Sequence, residues 1–184
     1  MKKIIISVLG NDRPGIIATV SRVLLENDGN IENVSQTSLQ LIFAGIFIAA
    51  MPDDTRLDDL ERAFRERLDP MGLHVHLQPT DIADTHSVPV AADPFVVTTR
   101  GPDRKGLVAE ISAVLASHDA NITNLQAVFK GGSDPNANIM IYEVDIPHKS
   151  DHEALFRDLR SRAAALDLKI SIQHREVFSV MNRI

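Results

Sequence analysis

The chain has 184 residues, enough for one large domain or two small ones, and its 44% apolar content supports a real core. With seven Phe, one Tyr and no Trp, that core must be mainly aliphatic. A formal net charge of −6, with mixed signs and no polybasic run, argues against a broad nucleic-acid-binding face or a membrane-docking patch. The absence of Cys excludes disulfides, thiolate metal sites and cysteine nucleophiles, and fits a reducing cytoplasm, where the protein is expected to reside. Met1-Lys2-Lys3 and the following isoleucines do not form a secretory leader, because the apolar run breaks at Gly10-Asn11-Asp12-Arg13. No stretch approaches the roughly 18 apolar residues of a membrane span.

Taken in chain order, Lys3 to Leu9 is a β-branched run and predicts a strand. Gly10 to Gly15 is a turn. Ile16, Ile17, Val20, Val23 and Leu24 then form one stripe of a helix, with Asp12 expected to cap it and Pro14 to sit in its first turn. Asp28-Gly29-Asn30 is expected to stop it. Ile31 to Ser38 and Ile42 to Met51 read as two strands. A second helix opens at Asp53-Asp54-Thr55 and carries Leu57, Leu60, Phe64 and Leu68. Leu73, Val75 and Leu77 alternate with His74, His76 and Gln78, a strand with one buried face.

The pattern then starts again. Gly10-Asn11-Asp12-Arg13-Pro14-Gly15-Ile16-Ile17-Ala18 aligns with Gly101-Pro102-Asp103-Arg104-Lys105-Gly106-Leu107-Val108-Ala109. Without a gap, Asp28, Asn30, Ile31 and Asn33 meet Asp119, Asn121, Ile122 and Asn124. Phe95 to Thr99, Ile122 to Phe129, Asn138 to Ile146 and the Leu168-Ile170-Ile172 segment predict the strands of the second copy. Gly131 to Asn136 is expected as a hairpin turn, and Ser150 with Glu153 as a capping box for the second copy's second helix. The fold class is therefore α+β: two ferredoxin-like βαββαβ domains in tandem, antiparallel sheets with helices on one face. Residues 1–79 form the first domain, 80–92 a polar linker and 93–184 the second. Either two such domains join edge to edge, or their sheets stack.

The likeness is strongest in the loop between the first strand and first helix, and at the helix exit. A turn and a cap would explain it: Gly15 and Gly106 ease the turn, Asp12 and Asp103 cap, Asn30 and Asn121 shape the exit. A ligand would explain it too. Glycine lets a ligand approach backbone, free N–H groups at a helix start receive a carboxylate, Asp12 receives an ammonium, and Asn30 offers donor and acceptor. A zwitterionic amino acid needs that set. The loop is not a phosphate-binding Walker motif, since it has no Gly-Lys-Ser/Thr.

Gly-x-Asp-Arg-Pro-Gly-Ile, followed about fifteen residues later by Gly-Asn-Ile, resembles the ACT domain, a βαββαβ amino-acid-binding regulatory module. The resemblance covers both halves. Two such modules with no catalytic domain look most like the glycine cleavage system transcriptional repressor group. It implies an amino-acid-sensing regulatory protein, a transcriptional co-regulator of glycine cleavage or amino-acid metabolism acting through a protein partner. Glycine or serine is the ligand by analogy. The resemblance places ligand at an interface between domains, against Gly10, Asn11, Asp12, Pro14, Gly15, Ile16, Asn30 and Ile31. In the second copy the positions are Gly101, Asp103, Gly106, Leu107, Asn121 and Ile122, with Lys105 departing from the usual proline. A homo-oligomer and a DNA-binding regulator protein are the expected partners, with no direct contact to nucleic acid or membrane.

No catalysis, cofactor or metal is expected. His74 and His76 on one strand face, and His148 and His152 four apart, are read as solvated surface, and Arg13 and Arg104 as turn residues or surface ion pairs. The alternative function is a ligand-free structural adaptor or a regulatory subunit of a metabolic enzyme. An RNA-recognition domain shares the topology, but Phe43, Phe47 and Phe129 lack the basic-aromatic motif it needs.

Overall fold

The computed structural model describes residues 1–80, 91–129 and 138–176, with backbone alone at 128 and 129. Most of the linker expected over 80–92 and the hairpin turn expected at Gly131 to Asn136 lie outside those residues. The chain divides into two compact units, Met1–Thr85 and His86–Ile184. Each is a ferredoxin-like βαββαβ domain with one four-stranded antiparallel sheet.

In the first unit the elements are β1 (Lys2–Asn11), α1 (Ile16–Glu26), β2 (Asn30–Leu39), β3 (Ile42–Met51), α2 (Leu57–Leu68) and β4 (Leu73–Thr80). The sheet order is β2-β3-β1-β4. β3 is antiparallel to both β1 and β2, so β1 and β2 run the same way. Strand alternation then sorts the side chains. Ile4, Ile6 and Val8 of β1 and Phe43, Phe47, Ala49 and Met51 of β3 turn to the helices and are buried. Val20, Val23 and Leu24 of α1 and Leu60, Phe64 and Leu68 of α2 close on them. The opposite face is open and apolar: Leu9, Ile42 and Ile46 are 52%, 43% and 54% exposed.

The second unit repeats this with β5 (Ala92–Gly101), α3 (Leu107–Ser117), β6 (Asn121–Phe129), β7 (Asn138–Pro147), α4 (His152–Ala165) and β8 (Lys169–His174), in the order β6-β7-β5-β8. Its core gathers Val97, Ile111, Leu115, Met140, Tyr142, Val144, Leu155 and Leu159. The open face of this sheet mixes Val96, Ile139 and Ile141 with Thr98, Glu143, Asp145, Lys169 and Ser171.

Three details of the caps differ from the sequence reading. α1 begins at Ile16 after Gly15, whose φ of 97° is left-handed, and no side chain caps it. Asp12 is too early in the chain to serve, and Pro14 precedes the cap instead of opening the helix. α4 is capped by Asp151, which accepts from the Ala154 N–H at 2.9 Å. The hydroxyl of Ser150 donates instead to the His118 carbonyl, at 3.1 Å. At the helix exits an aspartate, not a glycine, takes the left-handed position: Asp28, Asp119 and Asp167 have φ of 55°, 58° and 56°. Each is followed by the bond that closes a Schellman turn, such as Gly29 N–H to Leu24 C=O at 2.8 Å.

Tyr142, the single tyrosine, is fully buried, and its hydroxyl donates only to Met140 Sδ, at 3.5 Å, among the described residues. Burial pushes its pKa up to about 12. An unfolded tyrosine ionises near 10. The unfolded state therefore loses its proton first, and folding stability falls as pH rises from about 10 towards about 12, with no contribution below. Thermal melts at about pH 9 and about pH 11 should show that drop, and Tyr142→Phe should reduce it while changing neutral-pH stability by less than ~1 kcal/mol. An undiminished drop in the variant contradicts this assignment.

Candidate functional site

β1 ends at Asn11, and the chain turns through Asp12 to Gly15 into α1. Two contacts tie this loop to the β2–β3 hairpin. The Asp12 N–H donates to the Leu41 carbonyl at 2.8 Å, and the Ser38 hydroxyl donates to the Asp12 carboxylate at 2.7 Å. A third holds its far side, where Arg13 Nη1 donates to the Met71 carbonyl at 3.4 Å. Between loop, helix start and strand end lies a cleft of about 270 Å³ lined by Asp12, Arg13, Gly15, Ile16, Ile17, Ala18, Gln36, Thr37, Ser38 and Phe43. That volume suits a molecule smaller than a drug-sized ligand. Because α1 has no side-chain cap, the N–H groups of Ile16, Ile17 and Ala18, residues that line this cleft, lack an intrahelical acceptor. The dipole of α1 adds positive potential there, and the exposed Asp12 carboxylate stands beside it. One side of the cleft can take an anion and the other a cation.

Of the residues picked out in the sequence, Asp12, Gly15 and Ile16 line this cleft. Gly10, Asn11 and Pro14 flank it: Gly10 and Asn11 close β1 against Phe43 and Ile42, and Pro14 lies exposed before the cap. Asn30 and Ile31 are elsewhere. They open β2, opposite Ala50 and Ala49, whereas the loop lies at the Phe43 end of β3. Asn30 and Ser38 lie eight positions apart on β2, about 25 Å along the sheet. Within one domain the loop and the opening of β2 cannot touch the same small molecule. Gln36, Thr37, Ser38 and Phe43 were not picked out. Ordering the strands would have found them, since the end of β2, not its start, lies beside the end of a parallel β1.

The two glycines of the loop have different causes. Gly10 is extended, with φ of 159°, yet a Cβ on it would lie 2.4 Å from the Gly72 carbonyl oxygen and 2.9 Å from Leu73 Cδ2. Gly101 repeats this against the Asp167 carbonyl and Leu168 Cδ2, both at 2.8 Å. These glycines let the fourth strand of each sheet enter close to the first. Gly15 and Gly106 have open space around them and are required only by left-handed backbone, with φ of 97° and 90°.

The second loop keeps the geometry of the first. Gly106 precedes α3, which starts at the buried Leu107 without a side-chain cap. Lys105 in place of proline does not disturb that turn. Arg104 pairs with Asp167 at 2.5 Å, holding the loop to the turn before β8 as Arg13 holds the first. Asp103 is exposed, and Asn121 and Ile122 open β6 at the far end, opposite Asp145 and Val144.

The comparisons agree with this architecture. The ACT-domain family model matches residues 2–78 and again 93–173. The chain belongs to the ACT-domain family, with two copies of the domain in tandem. A UPF0237 protein of Methanopyrus kandleri is 34% identical over 83 residues, 45% of this chain and 92% of the relative. One from Methanocaldococcus jannaschii is 38% identical over 87 residues, again 45% and 92%. These relatives thus correspond to about half of this chain. Among solved structures, an unknown protein from Galdieria sulphuraria superposes with a TM-score of 0.75 at 22% identity, covering 94% of this chain and 98% of its own. A protein provisionally assigned as a glycine cleavage system transcriptional repressor superposes with a TM-score of 0.69 at 18% identity, covering 94% and 96%. Both share the tandem fold.

Gly10→Ala and Gly15→Ala should separate the two glycine roles. Gly10→Ala forces the Gly72–Leu73 backbone away and should destabilise by more than ~2 kcal/mol, whereas Gly15→Ala pays only for left-handed backbone, about 1 kcal/mol. Denaturant unfolding of the two variants checks the order; equal losses would contradict it.

Proposed function

We propose that this chain is an amino-acid-sensing regulatory protein, and that it acts as a transcriptional co-regulator of glycine cleavage or amino-acid metabolism through a DNA-binding protein partner. The observation that carries the reading is the cleft at the β1–α1 loop. It sets uncapped helix N–H groups beside the Asp12 carboxylate, which suits a zwitterion. The structural likeness to the provisionally assigned glycine cleavage repressor supports the same direction. The sequence supplies no clustered basic face for DNA, which favours action through a partner protein.

Placement of Asn30 and Asn121 sharpens the site. β2 is an edge strand, exposed along nearly its whole length, with unpaired N–H and C=O groups on its outer side. If the β2 edges of two copies of the chain pair antiparallel, the Asn30 end of one meets the Asp12–Ser38 end of the other. A ligand there is held by the loop of one copy and by Asn30 and Ile31 of the next. Binding and association are then coupled, as a sensor requires.

Titration calorimetry with glycine and serine on the full chain tests this. Asn30→Ala should weaken binding by about 1–2 kcal/mol, the scale of one hydrogen bond to a charged group, with little change in stability. Saturating ligand should also shift the chain to a larger species in sedimentation. Binding that ignores both Asn30→Ala and Asn121→Ala would sink the site, and no binding of either amino acid would favour a ligand-free adaptor.

A further inference from the structure

Gly45 sits inside β3, with no turn and no positive φ to account for it. A glycine in a strand interior weakens the strand and marks a close approach. Here the approach is by a ring. A Cβ at position 45 would lie 2.7 Å from Phe43 Cζ and 2.8 Å from Phe43 Cε1, with Phe47 Cε2 at 3.2 Å. The Phe43 ring therefore lies back over Gly45, away from the loop end of the sheet. The same Phe43 is the apolar floor of the cleft at the β1–α1 loop, and Ile17, 38% exposed, stands on its wall. On the β1 side, the space over Gly10 is filled by the Gly72 carbonyl and Leu73. The side left to the ring is that of Ser38 and the start of α1, which is the cleft itself. In the second domain Asn138 and Met140 hold the two positions, so the ring and the glycine are absent together.

We propose that Gly45 sets the depth of this cleft, and that the room it gives selects a ligand with a small apolar side chain, alanine to valine in size, over glycine. This rests on the reading of the loop as an amino-acid site and narrows which amino acid it takes. The α1 N–H groups and Asp12 hold the main chain of the ligand, and its side chain is left to the edge of the Phe43 ring and to Ile17. Those surfaces offer dehydration and dispersion only. Each methyl or methylene buried there is worth about fourfold in affinity, and glycine has none to bury. A Cβ at position 45 would turn the ring into the cleft and take that room away, without touching the groups that hold the main chain.

The test is calorimetric titration of the full chain with glycine, L-serine, L-alanine and L-valine. In the wild type, alanine should bind about fourfold tighter than glycine, and valine about tenfold or more. Gly45→Ala should bring valine down to glycine's affinity and leave glycine within about twofold. Adding Phe43→Leu to that variant removes the displaced ring and should restore valine's lead. If Gly45 serves packing alone, Gly45→Ala lowers thermal stability and weakens every ligand alike, and that result overturns the inference. So does a valine lead that survives Gly45→Ala, or equal affinity for glycine and valine in the wild type; either leaves amino-acid sensing intact. Failure of all four amino acids to bind removes the underlying reading as well. Should Gly45→Ala not fold, Phe43→Leu decides alone: it deepens the cleft, so L-leucine should gain severalfold on valine, and an unchanged ratio overturns the inference.

Discussion

Because α1 carries the chain back across the sheet, β1 and β2 run in the same direction with β3 antiparallel between them. That one constraint distributes everything else in the domain. It puts the β1–α1 loop, the end of β2 and the start of β3 at one end of the sheet, and the opening of β2 at the other. It leaves β2 on an edge, with one side unpaired. A close approach by β4 completes the loop end, and only a glycine at position 10 permits it. The loop is therefore a product of strand packing before it is a binding surface. Its electrostatics follow from the packing: a helix begun by a left-handed glycine has no side chain to satisfy its first N–H groups, and leaves them for something else.

The same constraint sets the geometry that the proposed binding mode must satisfy. A loop that offers charge complementarity and a strand opening that offers an amide lie about 25 Å apart on one domain. Under the proposed function they meet through the β2 edge of a second copy of the chain. The duplication gives the chain two such loops, and the two are not copies in chemistry. Phe43 and Asn138 occupy one structural position, with apolar and polar character. Two domains of one fold can thus face different partners or ligands.

Much of this was legible before the structure. Hydrophobic period placed the helices and strands, because the covered faces must alternate as the sheet does, and the loop repeat marked the duplication. The site was half legible. Asp12, Gly15 and Ile16 announce themselves as a loop between a strand and a helix. Ser38, Thr37 and Gln36 do not, since nothing local says that the end of a polar strand will lie beside that loop. Asn30 was grouped with the loop because its amide offers donor and acceptor and the resemblance placed it there, but within one domain strand direction sends it to the other end of the sheet. Gly10 was read as letting a ligand approach the backbone, yet what approaches it is a neighbour's carbonyl, which no local pattern reveals. The caps failed for a similar reason: Asp12 has the right chemistry but already accepts from Ser38, and Asp151, one residue beyond Ser150, is better aimed at α4.

The central claim is that an amino acid bridges the loop of one copy of the chain and the edge-strand opening of the next. Amide hydrogen exchange on the full chain tests it most directly, because it reads β2 and the loop separately. Without ligand the outward amides of β2 have no strand partner among the described residues and should exchange fast. With saturating glycine or serine, the account predicts protection in two places at once: the amides that open α1, and the edge amides from Asn30 onward. Protection of the loop alone, or of neither, with binding established by calorimetry, would contradict it.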